Sequence, residues 1–205
     1  MTQRSIRSSP HFQRPELLAK AWALPVAKRY APLLSQSFTS ICGPTSVANV
    51  LRSMSVPSSK NPFRRFGLRA MSLEQLVSES AEVVPTGWSV RVVRPRSVDE
   101  LRSELRAAND ESRRYVSNFD RSSLFGGGGG HHSPLGGFLE DEDLALVLDV
   151  NSSFGPWLVE PQRLLEAMTT GGGFRGLARF ERLANGNDDG GKGCESVALT
   201  KTQVT

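Results

Sequence analysis

A short run of small and polar residues over 39–45 gives way to Val47, Val50, Leu51 and Met54, a spacing that predicts an amphipathic helix. Pro44 suits its first turn, where a missing N–H has no partner to lose. Ser72 with Gln75 and Ser97 with Glu100 carry the capping-box spacing. Each opens a further helical pattern: Leu73, Leu76 and Val77 in one, Val98, Leu101, Leu105 and Ala108 in the other. Residues 88–93 and 115–119 read as strands, and 144–150 is almost continuously apolar, as expected of a strand covered on both faces. Pro161 begins another helix carrying Leu164, Leu165 and Met168, and 175–180 alternates as a last strand. Helices dominate early and strands late, which predicts an α+β arrangement instead of a doubly wound sheet.

The length of 205 residues and a hydrophobic content of 38% suffice for one domain with a core of its own. Cys42 and Cys194 lie far apart, so no disulfide framework is expected and a reducing compartment is the natural setting. The net charge of +4 comes from Lys and Arg scattered along the chain, with no basic stripe interleaved with aromatics. That distribution argues against nucleic acid and suits a small anionic substrate. No stretch approaches the roughly 18 apolar residues of a membrane span, and 21–26 is too short and interrupted for a signal core, so a cytoplasmic protein without membrane contact is expected. Residues 1–15, rich in Ser and Arg and free of acids, are expected to form a disordered arm, 16–183 a catalytic domain, and 184–205 a disordered polar tail.

The chemistry-bearing residues then stand out. Cys42 is placed at a helix N-terminus, where the backbone dipole favours a thiolate and lowers the pKa below the ~8.5 of a free cysteine. Gln36, six residues upstream, is a candidate oxyanion donor through its side-chain amide. Five glycines at 126–130 lack the Gly-Lys-Ser/Thr of a phosphate cradle; beside a histidine they let a substrate backbone approach, with Gly130 nearest. His131 and His132 are neighbours on a strand and point to opposite faces, so they are not expected to share a metal, and one of them faces the cleft. Asp149 ends an apolar run, where a carboxylate needs a partner: an imidazole, or a turn with Asn151. The order Gln, Cys, His, Asp is the layout of a papain-like cysteine nucleophile site.

These residues carry a family resemblance. Gln36 before Cys42-Gly43, the stretch Gly130-His131-His132-Ser133-Pro134-Leu135-Gly136-Gly137-Phe138, Leu148-Asp149-Val150 and Pro156-Trp157-Leu158-Val159 together resemble phytochelatin synthase. Members of that family carry a Gly-His-Phe-Ser-Pro-Ile-Gly-Gly-Tyr stretch, an Ile-Leu-Asp-Val strand and a Pro-x-Trp-Val turn. The His131 to Asp149 spacing matches the family pattern and selects His131, not His132, as the base. Arg121 corresponds to a family arginine. The resemblance runs from about Gln36 to Phe180.

What the resemblance implies is a papain-like fold, with the nucleophile on a helix-rich N-terminal part and His131 and Asp149 on an antiparallel sheet. It also implies a γ-glutamylcysteinyl transferase or peptidase acting on glutathione through a thioester on Cys42. The acyl group would pass to a second glutathione or to water, in a metal response or in glutathione turnover. Arg121, Gly130 and Arg175 are the expected substrate-binding residues. No cofactor is expected to be tightly bound; Cd2+ or Zn2+ enters as a glutathione thiolate serving as substrate, and a homodimer is among the expectations. Family members place an acid a few residues before an Arg-Gly pair, whereas here 169–174 contains none before Arg175-Gly176. That departure keeps two alternatives open: a cysteine peptidase for another short peptide, or a non-catalytic module binding glutathione or metal.

Overall fold

The computed structural model describes residues 5–54, 60–170, 172 and 175–183. Two 3-10 turns, Ile6–Ser8 and Pro10–Gln13, lead into helices α1 (Pro15–Trp22) and α2 (Pro25–Lys28). A third turn, Thr39–Ile41, runs directly into α3 (Cys42–Ser53), followed by α4 (Pro62–Phe66) and α5 (Leu73–Ala81). The chain continues through β1 (Trp88–Val93), α6 (Val98–Ala107), β2 (Arg113–Asp120), α7 (Arg121–Phe125) and β3 (Gly130–Leu139). It closes with β4 (Leu144–Leu148), β5 (Pro156–Val159), α8 (Pro161–Thr169) and β6 (Gly176–Arg182).

The six strands form one antiparallel sheet in the order β1-β6-β2-β3-β4-β5. Both faces are covered, which is why β4 reads as an unbroken apolar run. Leu146 and Leu148 pack with Val47 and Val50 of α3 and with Leu17 and Ala21 of α1, while Ala145 and Val147 pack with Leu101 and Leu105 of α6 and Leu164 of α8. Each fully buried leucine of this kind contributes about 1.5–3 kcal/mol relative to exposure. β3 is the hub. Its first half pairs with β2 through His131↔Phe119 and Asn118↔His132, its second half with β4, and the register shifts between Leu135 and Gly137.

The capping signals appear as expected. Ser72 and Gln75 form the complete reciprocal box, whereas Ser97 accepts from Glu100 N but the Glu100 carboxylate accepts from Arg96 N instead. Pro156–Val159, a turn by family analogy, is a strand, because it pairs with β4 through Leu146↔Leu158 and Val147↔Trp157.

The expected disordered arm over 1–15 is corrected from residue 5 onward. Ile6 is fully buried against the α6–α8 side of the sheet, Arg7 lies over the Phe125 and Phe154 rings, and His11 reaches Leu158 O at 3.1 Å. Composition misses this because two apolar residues, Ile6 and Phe12, and the Arg7 ring contacts anchor an otherwise polar segment. The tail expected over 184–205, with Cys194, lies outside the described residues.

Gly176 begins β6 between β1 and β2 with φ +150°, and a Cβ there would meet Val93 O at 2.6 Å. A backbone oxygen cannot step aside as a side chain can. Gly176→Ala should therefore destabilise the fold by about 1–3 kcal/mol in urea unfolding.

Candidate active site

Cys42 is the first residue of α3, and no side chain caps this helix start, so its first-turn N–H groups are not claimed by a neighbouring hydroxyl or carboxylate. The next position is closely packed: a Cβ on Gly43 would lie 3.1 Å from Leu76 Cδ1 and 3.2 Å from Met71 Cγ. The glycine thus seats the nucleophile turn against α5. Ser46 Oγ donates to His132 O at 2.9 Å, tying α3 to the strand that carries both histidines.

Asp149 follows β4 and is 1% exposed. Its Oδ1 accepts from Asn151 N at 2.8 Å, lies 3.0 Å from His131 Nε2 and takes Arg121 NH2 at 2.5 Å; its Oδ2 accepts from Trp157 Nε1 at 3.2 Å. The turn with Asn151 and the imidazole partner, alternatives in the sequence, are both present. Burial pushes the Asp149 carboxyl up, but hydrogen bonding and charge from His131, and then from Arg121, hold it below its ordinary 3.8. Phe119 meets the His131 ring edge-on at 5.6 Å and the Trp157 ring likewise, bracing the pair.

With Nε2 of His131 on Asp149, Nδ1 is the ring nitrogen left for another partner. Burial alone would raise the Cys42 thiol; hydrogen bonds from His131 and then His132, with the charges of both, outweigh it and bring the pKa from 9.0 to about 5. Burial would lower His131, yet its hydrogen bonds to Asp149 and Cys42 raise it above 6.5. Between those limits the pair is a thiolate beside an imidazolium. Cys42 Sγ also lies 3.8 Å from His132 Nδ1, a contact the sequence did not reveal. Alternation across a strand fixes Cβ directions, not the reach of an imidazole.

The sulfur opens on a cleft of about 370 Å3 shared by His132, Asn118, Gly130, Arg175, Thr39 and Ser72. Arg175 donates to Thr170 O and lies 3.3 Å from Asp120 Oδ2, and Gly130 sits beneath its guanidinium. A larger cavity of about 430 Å3 sits at the other end of α3, near Leu51, Arg52, Met54 and Phe63, away from the thiol.

Gln36 belongs to a segment clamped between α3 and the end of β4. Asn49 of α3 pairs with Leu34 N and O at 2.8 and 2.9 Å, and Gln36 N donates to Val150 O at 2.7 Å, one residue past Asp149. Its side-chain oxygen is buried without a hydrogen-bond partner.

Of the three residues expected to bind substrate, Gly130 and Arg175 line the cleft, but Arg121 does not. Its guanidinium is buried behind His131, held by Asp149 and stacked 4.2 Å over Phe154. The reason is charge: a buried carboxylate takes the nearest cation. Asp120, Asn118 and Trp157 are absent from the sequence reading of the site, and His132, set aside there as base, is the histidine that lines the cleft. Asp120 alone left a signal, as the acid immediately before Arg121. Among the described residues no group of three or more His, Cys, Asp or Glu side chains is placed to hold a metal ion, and no helix is long and apolar enough to cross a membrane.

Two measurements check this geometry. Alkylation of Cys42 by iodoacetamide should rise with pH about a midpoint near 5, because the thiolate is populated above that value. Arg121→Met removes a cation from a buried carboxylate and should cost about 3 kcal/mol in chemical unfolding.

The family model described as phytochelatin synthase matches residues 5–179. A wheat (Triticum aestivum) protein named glutathione gamma-glutamylcysteinyltransferase 1 is 30% identical over 163 residues, 71% of this chain and 33% of that protein. An Arabidopsis thaliana protein named glutathione gamma-glutamylcysteinyltransferase 2 is 28% identical over 152 residues, 65% of this chain and 34% of that protein. The chain thus spans about a third of the length of these curated relatives. Among solved structures, the peptidase domain of Streptococcus ComA, a bifunctional ABC transporter, superposes with a TM-score of 0.50 at 17% identity, covering 74% of this chain and 98% of that one. That likeness establishes the papain-like cysteine peptidase fold. With the family match running through the thiol, the histidines and the buried carboxylate, the chain belongs to the phytochelatin synthase family.

Proposed function

We propose that this chain is a γ-glutamylcysteinyl transferase acting on glutathione through a thioester, with Cys42 as nucleophile, His131 as general base and acid, and Asp149 as its orienting partner. The observation that carries the reading is a thiol of depressed pKa, open to a cleft, with His131, an imidazole held by a buried carboxylate, and His132 both acting on it. The family match and the names of the wheat and Arabidopsis relatives support the choice of substrate.

In the first half-reaction Cys42 Sγ attacks the carbonyl carbon of the Cys-Gly amide, the C–S bond forms, and the C–N bond breaks as His131 gives its proton to departing glycine. The γ-glutamylcysteinyl group is then held on sulfur. In the second, the amine of another glutathione attacks that carbonyl, His131 takes the amine proton, and the thiolate leaves; water in the same place yields γ-glutamylcysteine. Gln36 is the proposed oxyanion donor through its side-chain amide N–H, its backbone anchored to Val150 O beside Asp149. Arg175 and Asp120, a cation beside an anion at the cleft, suit the carboxylate and ammonium of a γ-glutamyl head group and offset the acid missing from 169–174. Arg121 acts as a positioning residue for Asp149 and His131. Metal ions enter as glutathione thiolates, that is, as substrate, and the thiolate chemistry fits a reducing, cytoplasmic setting.

Intact-mass measurement after mixing with glutathione should show a γ-glutamylcysteinyl adduct on Cys42 and one equivalent of released glycine. Cys42→Ser should abolish both, and a serine variant that still released glycine would remove the assignment. Product analysis with and without Cd2+ then separates transfer from hydrolysis.

A further inference from the structure

His131 accounts for the Asp149 relay, yet a second imidazole stands on the same sulfur. His132 Nδ1 is 3.8 Å from Cys42 Sγ, while His132 Nε2 is buried with no hydrogen-bond partner, and the residue as a whole is 3% exposed. Its backbone is fixed by Ser46 Oγ at 2.9 Å and by pairing opposite Asn118. This fixes the tautomer. An orphaned buried N–H is rarer and costlier than an unused lone pair, so the proton of a neutral His132 belongs on Nδ1, where the sulfur accepts it.

We propose that His132 is a second catalytic imidazole, a donor whose Nδ1–H holds Cys42 as thiolate before substrate arrives and stabilises it again as the leaving group when the thioester is opened. The inference rests on the thioester reading for that second role. No proton leaves His132 at either step: His131 carries the proton between glycine and the incoming amine, and His132 supplies only a hydrogen bond to the sulfur. The labour is divided because His131 is tied to Asp149, which Arg121 also holds, whereas nothing but sulfur engages the His132 nitrogens among the described residues. The other charged groups near the sulfur are Arg175 and its partner Asp120 across the cleft; the first turn of α3 contributes no acid.

The test is the pH dependence of Cys42 alkylation in the absence of glutathione, for the whole chain and for His132→Phe, His132→Asn and His132→Gln. Phe keeps the ring and loses the donor, so its midpoint should rise by about one pH unit; Asn places an amide N–H near the Nδ1 position and should keep the wild-type midpoint. Gln, whose amide reaches past that position, should behave like Phe. Single-turnover glycine release at pH 6 should fall about twofold in His132→Phe, in line with a thiolate fraction that drops from about nine-tenths to about one-half, with KM for glutathione little changed. A Phe variant with wild-type midpoint overturns the inference, as do Asn and Gln variants with equal shifts. Should Phe fail to fold by circular dichroism, the Asn and Gln pair decides alone. Alkylation needs no glutathione, so a wild-type protein that releases no glycine sinks the substrate reading while leaving the imidazole test intact.

Discussion

A carboxylate taken almost wholly out of water organises this molecule. Left unpaired in the interior, Asp149 would cost several kcal/mol, and it is retained only because four donors converge on it. They come from separate places: a backbone N–H two residues on, His131 at the start of β3, Arg121 at the start of α7 and Trp157 in β5. Satisfying one acid therefore draws a strand, a helix start and an edge strand to a single point. The imidazole on that point is left with one nitrogen for the thiol at the head of α3.

The dipeptide Asp120-Arg121 couples this buried cluster to the open cleft. Asp120 Oδ1 accepts from Ser122 N at 2.9 Å and so caps α7, which sets the direction of Arg121 toward Asp149. The other oxygen of Asp120 faces Arg175 in the cleft wall. One residue thus fixes a cation behind the relay and another in front of it. The scattered positive surplus of the chain finds use at two particular guanidinium groups.

Much of this was legible in the residues alone. The 3.6 periodicity after Cys42, the two capping signals and the apolar run before Asp149 marked α3, α5, α6 and β4, since each depends on local pattern. The thiol, His131 and Asp149 were marked by type and order, and the sheet brings His131 and Asp149 into contact. What stayed hidden depends on tertiary reach. Arg121 reads as a free cation until the carboxylate it faces is known. His132 is turned away from His131 by strand alternation, and only the seating of α3 against β3 puts its ring on the same sulfur. The N-terminal segment looked too polar to fold because Ile6 joins a core built by residues about a hundred or more positions later, and its turn packs on α7.

The bend in β3 explains how the two halves of the site meet. Residues 130–134 pair with β2 and hold the histidines, while 135–139 pair with β4, which ends just before Asp149. The crossover falls at Gly136-Gly137, where a Cβ on Gly136 would come within 2.7 Å of Leu146 Cδ2 and 3.0 Å of Leu148 Cγ. Those leucines are the last inward-facing residues before the carboxylate. A side chain at Gly136 would push the end of β4 outward, and a displacement of an ångström at Leu148 moves Asp149 out of hydrogen-bond range of His131. The glycine therefore supports the relay without touching any reacting atom: its missing side chain lets Leu146 and Leu148 pack close against β3 just before the acid.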